Sequence, residues 1–335
     1  MTQEKVCNGI GIIGSGSYIP EKVLSNYDLE KLVDTSDEWI RTRTGIKERR
    51  ILDDDKATSF MATEAAKKAM SHANIRAEDI DLIMVSTVTP DMMFPSTACI
   101  VQSNLNCINA AAFDLEAACS GFLYGLSIAY SFIRAGVYKN ILLIGAEVLS
   151  RITDWTDRNT CVLFGDGAGA VVISEVPANK GILGIELGAD GSGGHFLMQP
   201  AGGSKSPANE ETIKNKLHYI NMEGNEVFKF AVRKMEDASL KVIEKSKISV
   251  DDVDFLIPHQ ANMRIIESAR KKLKLSEDKV YINLDRYGNM SSASIPVALD
   301  EAIKEGKIKD DDTVLLVGFG GGLTWGASII KWHKR

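Results

Sequence analysis

Among the five cysteines, Cys119 is the one placed for covalent chemistry. It follows an apolar run, Ala110 to Phe113 with Leu115, that predicts a strand, and it opens a largely apolar, helix-like segment from Cys119 to Ala135 with no linker between them. A thiol at a helix N-terminus meets free backbone amides and the positive end of the helix dipole. Both favour the thiolate, and the amides can receive the oxyanion of a bound carbonyl. Against this stands the ordinary fate of a free cysteine, which is to be a small buried hydrophobe; Cys7, Cys99, Cys107 and Cys161 read that way.

His259 ends a predicted strand, Val253 to Pro258, and precedes a predicted helix, Ala261 to Lys274. The carboxyl ends of strands are where α/β sheets gather ligands. His72 ends a helix, His218 lies in a charged stretch, His333 is near the end of the chain, and His195 follows the glycine-rich 191–194, so none of them competes well. Asn289 stands in Tyr287-Gly288-Asn289-Met290-Ser291-Ser292, just before a predicted helix from Ala293 to Ile303, where asparagine is an ordinary N-cap.

An internal repeat gives Asn289 more weight. Asp79-Ile80-Asp81-Leu82-Ile83 matches Asp252-Val253-Asp254-Phe255-Leu256, and Ile141-Leu142-Leu143-Ile144-Gly145 matches Val314-Leu315-Leu316-Val317-Gly318, both at an offset of 173. Gly11-Ile12 falls on Gly184-Ile185 at the same offset, placing a strand near Gly181 to Gly188. Cys119 then corresponds to Ser292, so the cysteine and the Asn289 loop occupy equivalent strand-to-helix turns facing one pseudo-twofold cleft. Further on, Gly169-Ala170 matches Gly326-Ala327 at an offset of 157, so the first half carries about sixteen extra residues between 146 and 168, as walls of active sites often do.

These elements predict a duplicated α/β chain, with strands near Ile10 to Gly14, Ile80 to Thr87 and Ile141 to Ile144, a helix near Thr58 to His72, and halves at 1–176 and 177–335. The 335 residues, 44% hydrophobic and 25% charged, suit a folded chain with a large core. A net charge of −6 argues against general nucleic-acid binding. The opening Met1 to Lys5 lacks a signal-peptide pattern, and the 117–133 stretch is too short and too rich in serine and glycine to span a membrane. An odd cysteine count without a Cys-x-x-Cys pair suggests neither disulfides nor zinc, so a reducing cytoplasm is expected. Gly14-Ser15-Gly16 lacks the third glycine and helix of a dinucleotide fingerprint.

Several segments together, Asp37 to Ile46, Ala118-Cys119-Ser120-Gly121, Phe164 to Gly169, His259-Gln260-Ala261-Asn262 and Gly320-Gly321-Gly322, resemble those of 3-oxoacyl-[acyl-carrier-protein] synthase III enzymes, in order and nearly end to end. The resemblance implies the thiolase-like α/β fold, a duplicated five-layered α-β-α-β-α architecture, assembled as a homodimer. It also implies the initiating step of type II fatty-acid synthesis. A short acyl-CoA would acylate Cys119, CoA would leave, and malonyl-acyl-carrier protein would lose carbon dioxide and attack the thioester. His259 and Asn289 would stabilise the enolate, and the amides of Cys119 and Gly321 the tetrahedral oxyanion, with no metal or resident cofactor.

By the same resemblance Trp39 and Arg158 would hold the adenine of CoA, with Thr35, Arg43 and Asn262 alongside. Phe94, reaching across a dimer interface, and Phe164 would shape an acyl pocket for a short starter. Lys229, Arg264, Lys271 and Lys272 would form the basic surface for the acidic carrier protein. The plain readings are a core or interface role for Trp39, an ion pair between Arg158 and Asp157, and a solvated face for the lysines. A cysteine, histidine and asparagine in this order also resemble a papain-type protease, but the residues flanking Cys119 do not. Acyltransferases of the same fold with other acceptors remain a closer alternative.

Overall fold

The computed structural model describes residues 8–334, so the predictions that fall on Met1 to Lys5 and on Cys7 lie outside the described residues. Two mixed sheets carry the chain. The first is ordered Gly9–Tyr18, Asp166–Val176, Ile141–Val148, Leu82–Ser86, Ala111–Leu115. The second is ordered Gly181–Ala189, Thr324–Lys331, Thr313–Gly320, Phe255–Pro258. Reading from either first strand, the pairings run antiparallel, antiparallel, parallel in both sheets. Where the first sheet adds Ala111–Leu115 beside Leu82–Ser86, the second has a single parallel bridge, Leu256 to Val280. The strands predicted from periodicity are all present; Gly9–Tyr18 is longer than expected, and Leu82–Ser86 and Phe255–Pro258 are shorter.

Alternation along the central strands explains the layering. Ile141 and Leu143 face one core with Phe122, Leu126, Ile295 and Leu299, while Leu142 and Ile144 face another with Met61, Ala62 and Ala65. In the second sheet Val314 and Leu316 join the first of these cores, and Leu315 and Val317 turn to a third with Met235 and Ile266. Period-two apolar strands buried on both faces therefore place helices 121–134 and 294–304 between the sheets, Thr58–Ala73 outside one, and 224–245 and 263–272 outside the other. This is the five-layered α-β-α-β-α arrangement.

Gly14 and Gly16 serve helix packing. A Cβ on Gly14 would lie 2.5 Å from the Ala73 nitrogen, and one on Gly16 2.4 Å from the Ala65 carbonyl oxygen, so the helix can rest on the strand only if both side chains are missing.

The two predicted site helices begin later than expected, and in the same way. Cys119 lies in a 3-10 turn, Ala118–Ser120, ahead of the α-helix Gly121–Arg134. Ser291–Ala293 is a 3-10 turn ahead of Ser294–Lys304. Ala118 and Ser291, which the repeat places on one another, share a left-handed backbone at φ 45° and 46°. That conformation costs roughly 1–2 kcal/mol for a residue with a Cβ. It occurs at both turns because each chain segment must leave a strand end and enter a buried helix without a linker. The predicted helix Ala261 to Lys274 is Met263–Lys272, with Asn262 accepting from the Arg264 amide as its N-cap.

Leu123 is fully buried between the sheets and packs against the positions of Gly318 and Gly326. Leu123→Ala should lower the unfolding free energy by about 2–5 kcal/mol, measured as a lower denaturant midpoint with an unchanged slope.

Candidate active site

Cys119, His259 and Asn289 come from turns far apart in the chain, yet all line one cavity of about 90 Å³ with Phe164, Phe319, Gly320 and Asn262. They are 7%, 1% and 8% exposed, so bulk water is largely excluded from all three. A larger cavity of about 610 Å³ also reaches Cys119 and is lined by Ser291, Gly321, Tyr124, Ile152, Leu197 and further residues; Phe164 borders both. The thiol therefore stands where two spaces meet.

Local contacts set the nucleophile turn. The Ser120 hydroxyl donates to Thr324 Oγ1 at 2.7 Å, and Thr324 Oγ1 donates to the Gly321 carbonyl at 2.9 Å, which ties the turn to the loop after Thr313–Gly320. A Cβ on Gly320 would sit 2.6 Å from the Cys119 nitrogen, so only glycine lets this strand end touch the cysteine backbone. Gly321 lines the larger cavity together with Cys119.

The backbone amide favours the thiolate, as the sequence suggests, but burial opposes it more strongly. Burial pushes the Cys119 thiol up to about 12; the Ser291 hydroxyl and the Cys119 amide pull it down, but by less than desolvation raises it. Burial also pushes His259 down to about 3, so its imidazole is neutral. Its backbone N–H donates to the Val317 carbonyl at 2.8 Å and its ring packs edge-on to Phe319 at 5.5 Å, while neither ring nitrogen has a hydrogen-bond partner among the described residues. Buried polar atoms without partners cost stability and are kept where a ligand will use them.

Asn289 is held by its backbone: its N–H donates to the Leu163 carbonyl, and its carbonyl accepts from the Gly165 amide at 3.0 Å. Its side-chain oxygen accepts from the Ser291 amide at 2.8 Å, which turns the NH2 group into the cavity-facing donor.

Trp39, Arg43 and Arg158 cluster outside the cavity. Arg43 and Arg158 lie over the Trp39 ring at 4.5 and 5.0 Å. Arg158 donates to the Asp34 carbonyl at 2.9 Å and is 3.9 Å from its carboxylate; Asp157, the partner expected from sequence proximity, instead caps its own short helix through the Asn159 amide. The Thr35 hydroxyl oxygen is buried with no hydrogen-bond partner among the described residues. The Asn262 amide group donates to the Arg43 carbonyl at 3.1 Å, linking this cluster to the cavity wall.

The expected basic surface is only half free. Lys229 pairs with Glu226 and Lys272 with Glu236, at 2.7 and 2.8 Å, whereas Arg264 and Lys271 have no ion pair among the described residues. Arg264 lies over Phe228, which lines the smaller cavity. Phe94 is 85% exposed, lines neither cavity, and forms an apolar patch with Met92 and Met93.

Family models match this chain at residues 113–191, described as 3-oxoacyl-[acyl-carrier-protein (ACP)] synthase III, and at 243–332, described as its C-terminal part. A beta-ketoacyl-[acyl-carrier-protein] synthase III from Caldanaerobacter subterraneus subsp. tengcongensis is 63% identical over 97% of this chain and 98% of its own.

The chain belongs to the 3-oxoacyl-[acyl-carrier-protein] synthase III family.

The synthase III structure from Aquifex aeolicus shares 51% identity at a TM-score of 0.90, over 97% of this chain and 100% of that one. The priming beta-ketosynthase of the R1128 polyketide pathway shares 33% at 0.89, over 98% of each. In this member of the synthase III family, sequence reasoning marked Gly320 only within its glycine run and missed two contributors to the site: the Ser120–Thr324 link, and Glu147, which is buried beside the Asn289 turn. The repeat carried a signal for Glu147, because its offset carries that residue onto Gly320.

Gly320→Ala should force the Cys119 turn away and slow the loading of Cys119 by an acyl thioester about a hundredfold. Gly203→Ala, where an added Cβ meets nothing within 4 Å, should leave loading unchanged; intact-protein mass over time measures both.

Proposed function

We propose that this protein initiates type II fatty-acid synthesis by decarboxylative Claisen condensation, with Cys119 as acyl carrier and His259 and Asn289 as enolate stabilisers. The observation carrying this reading is the convergence of the three side chains on one water-poor cavity at a helix N-terminus. A short acyl-CoA would present its carbonyl to the Cys119 thiol. As the sulfur attacks, the thiol proton passes by way of the open His259 ring nitrogen to the departing CoA sulfur, so that no charge stays on the buried imidazole. Departure of CoA leaves the acyl thioester, and the Cys119 and Gly321 amides serve as donors to the tetrahedral oxyanions.

Malonyl-acyl-carrier protein then enters along the passage that CoA has left. Loss of carbon dioxide develops an enolate oxygen, to which an imidazole N–H and the Asn289 NH2 group donate; each such donor contributes about 10²–10³ in rate. The carbanion attacks the thioester carbonyl and expels the Cys119 sulfur, which takes a proton from solvent to return to the thiol, leaving a 3-oxoacyl-carrier protein. Donors and the helix terminus supply the electrophilic field, so no metal or resident cofactor is called for.

Trp39, Arg43, Arg158, Thr35 and Asn262 would receive the nucleotide end of CoA, with the guanidinium groups already over the indole face. Arg264 and Lys271 would dock the acidic carrier protein, with Lys229 and Lys272 freed from their ion pairs or contributing at longer range. The exposed Met92, Met93 and Phe94 and the edge strand Ala111–Leu115 support a homodimer in which Phe94 enters the partner's acyl space. The halves 1–176 and 177–335 act as two thiolase-like units, one bringing the nucleophile and the other His259 and Asn289. No helix of the described residues is long and apolar enough to cross a membrane. CoA thioesters and carrier protein, as substrates, place the proposed reaction in the cytoplasm.

Incubation with acetyl-CoA should add one acetyl group to the wild type and none to Cys119→Ser, and malonyl-acyl-carrier protein should discharge it as acetoacetyl-carrier protein. No adduct from any short acyl-CoA would move the assignment to an acyltransferase with another acceptor. Arg264→Glu should raise KM for carrier protein by about tenfold with acyl loading intact; impaired loading would refute the docking role.

A further inference from the structure

Glu147 is fully buried near the end of the Ile141–Val148 strand and takes no part in the chemistry above. Its Oε2 accepts from the Val88 amide at 3.0 Å and from the Thr89 and Thr87 hydroxyls at 2.9 and 3.2 Å. Those hydroxyls are free to donate because each already accepts a backbone amide, that of Val148 and of Thr89 respectively. Oε1 lies 2.8 Å from Ser292 Oγ, which in turn lies 2.8 Å from the Ser86 carbonyl oxygen.

A proton count decides the state of this chain of oxygens. Two contacts of 2.8 Å need two protons between three oxygens. The Ser86 carbonyl has none to give and the Ser292 hydroxyl has one. If Ser292 donated to an ionised Glu147, its oxygen would face the carbonyl with no hydrogen between them.

We propose that Glu147 works as a neutral carboxylic acid, donating from Oε1 to Ser292 Oγ and thereby fixing the turn of Asn289 and Ser291 against that of Cys119. It is a positioning residue. Ser292 Oγ passes its own proton to the Ser86 carbonyl, and the Ser86 side chain fills the space where a Cβ on Gly121 would be, so the acid connects the starts of both site helices. The pseudo-twofold supports the role: Glu147 meets the Ser292 turn at the position where Gly320 meets the Cys119 turn.

The surroundings suit a neutral group. The elements packed on Glu147 offer amides and hydroxyls from Thr87, Val88, Thr89, Ser291 and Ser292, and no Lys, Arg or His forms an ion pair with it among the described residues. Desolvation raises its pKa. The titratable group in electrostatic reach is Cys119, whose thiol an ionised Glu147 would hold more firmly protonated. Ser291 Oγ stands within reach of both groups without a hydrogen bond of ordinary geometry to either. A neutral acid keeps negative charge away from the place where the thiolate and enolate must form.

Glu147→Gln preserves the shape and offers an N–H where the acid offered its proton. The infrared difference spectrum of wild type minus Glu147→Gln at neutral pH should contain the C=O stretch of a protonated carboxylic acid; its absence would overturn the proposal. A carboxyl held above its unfolded value of 4.5 contributes stability that is present at low pH and lost as pH rises. The wild type should therefore lose melting temperature relative to Glu147→Gln as pH climbs above that value, and parallel profiles would count against the idea. The kinetic arm rests on the condensation reading, whereas these two do not. Glu147→Gln should keep kcat for condensation within about threefold of wild type, and Glu147→Ala should lose about ten- to hundredfold. A Gln variant as impaired as Ala would show that the ionised carboxylate is the working form, and the Gln comparison decides even if Ala does not fold.

Discussion

Two turns from distant parts of the chain, 118–120 and 291–293, press on one another and on the ends of the two central strands, and the site exists where they meet. The contact is close enough that Gly320 can carry no side chain, and both turns enter through a left-handed residue. Each strained residue stays in place because the surrounding layers over-determine it: strands buried on both faces fix the strand ends, and helices locked between the sheets fix the exits. Moving either sheet by a residue would part the cysteine from the histidine and asparagine.

The same burial settles the electrostatics. Taken out of water, Cys119 rises, His259 falls and Glu147 rises, so each is driven towards its uncharged form. A site that is neutral at rest avoids holding unpaired charge in a low-dielectric core. In the proposed reaction its donors, the two amides, the imidazole and the Asn289 NH2, would respond to charge that develops on the substrate, where they are worth most. The exposed cations differ: Arg43, Arg158, Arg264 and Lys271 remain near solvent, where in the proposed reaction their charges would draw anionic groups without the cost of burial.

Much of this was legible in the sequence because the repeat is itself a sequence property. Strands Ile141–Val148 and Thr313–Gly320 read clearly from their apolar runs, and their common spacing with 119 and 292 placed the nucleophile opposite the Asn289 loop. The starts of the site helices were less legible, since an α-helix and one preceding 3-10 turn share the same apolar pattern. Arg158 shows a different gap. Sequence proximity pointed to Asp157, but a neighbour in the chain that caps its own helix is already engaged, and Asp34 approaches from far away.

The sequence by itself determined the types of reactive residue, the duplication and the facing of the strands, because periodicity and motif spacing are written locally along the chain. Tertiary structure alone decided the burial that drives Cys119 and His259 towards their neutral forms, the pairing of Lys229 and Lys272, the exposure of Phe94, and the hydrogen bonds that converge on Glu147. Those properties depend on how much water is removed and which partners arrive, and many of the groups responsible stand in opposite halves of the chain.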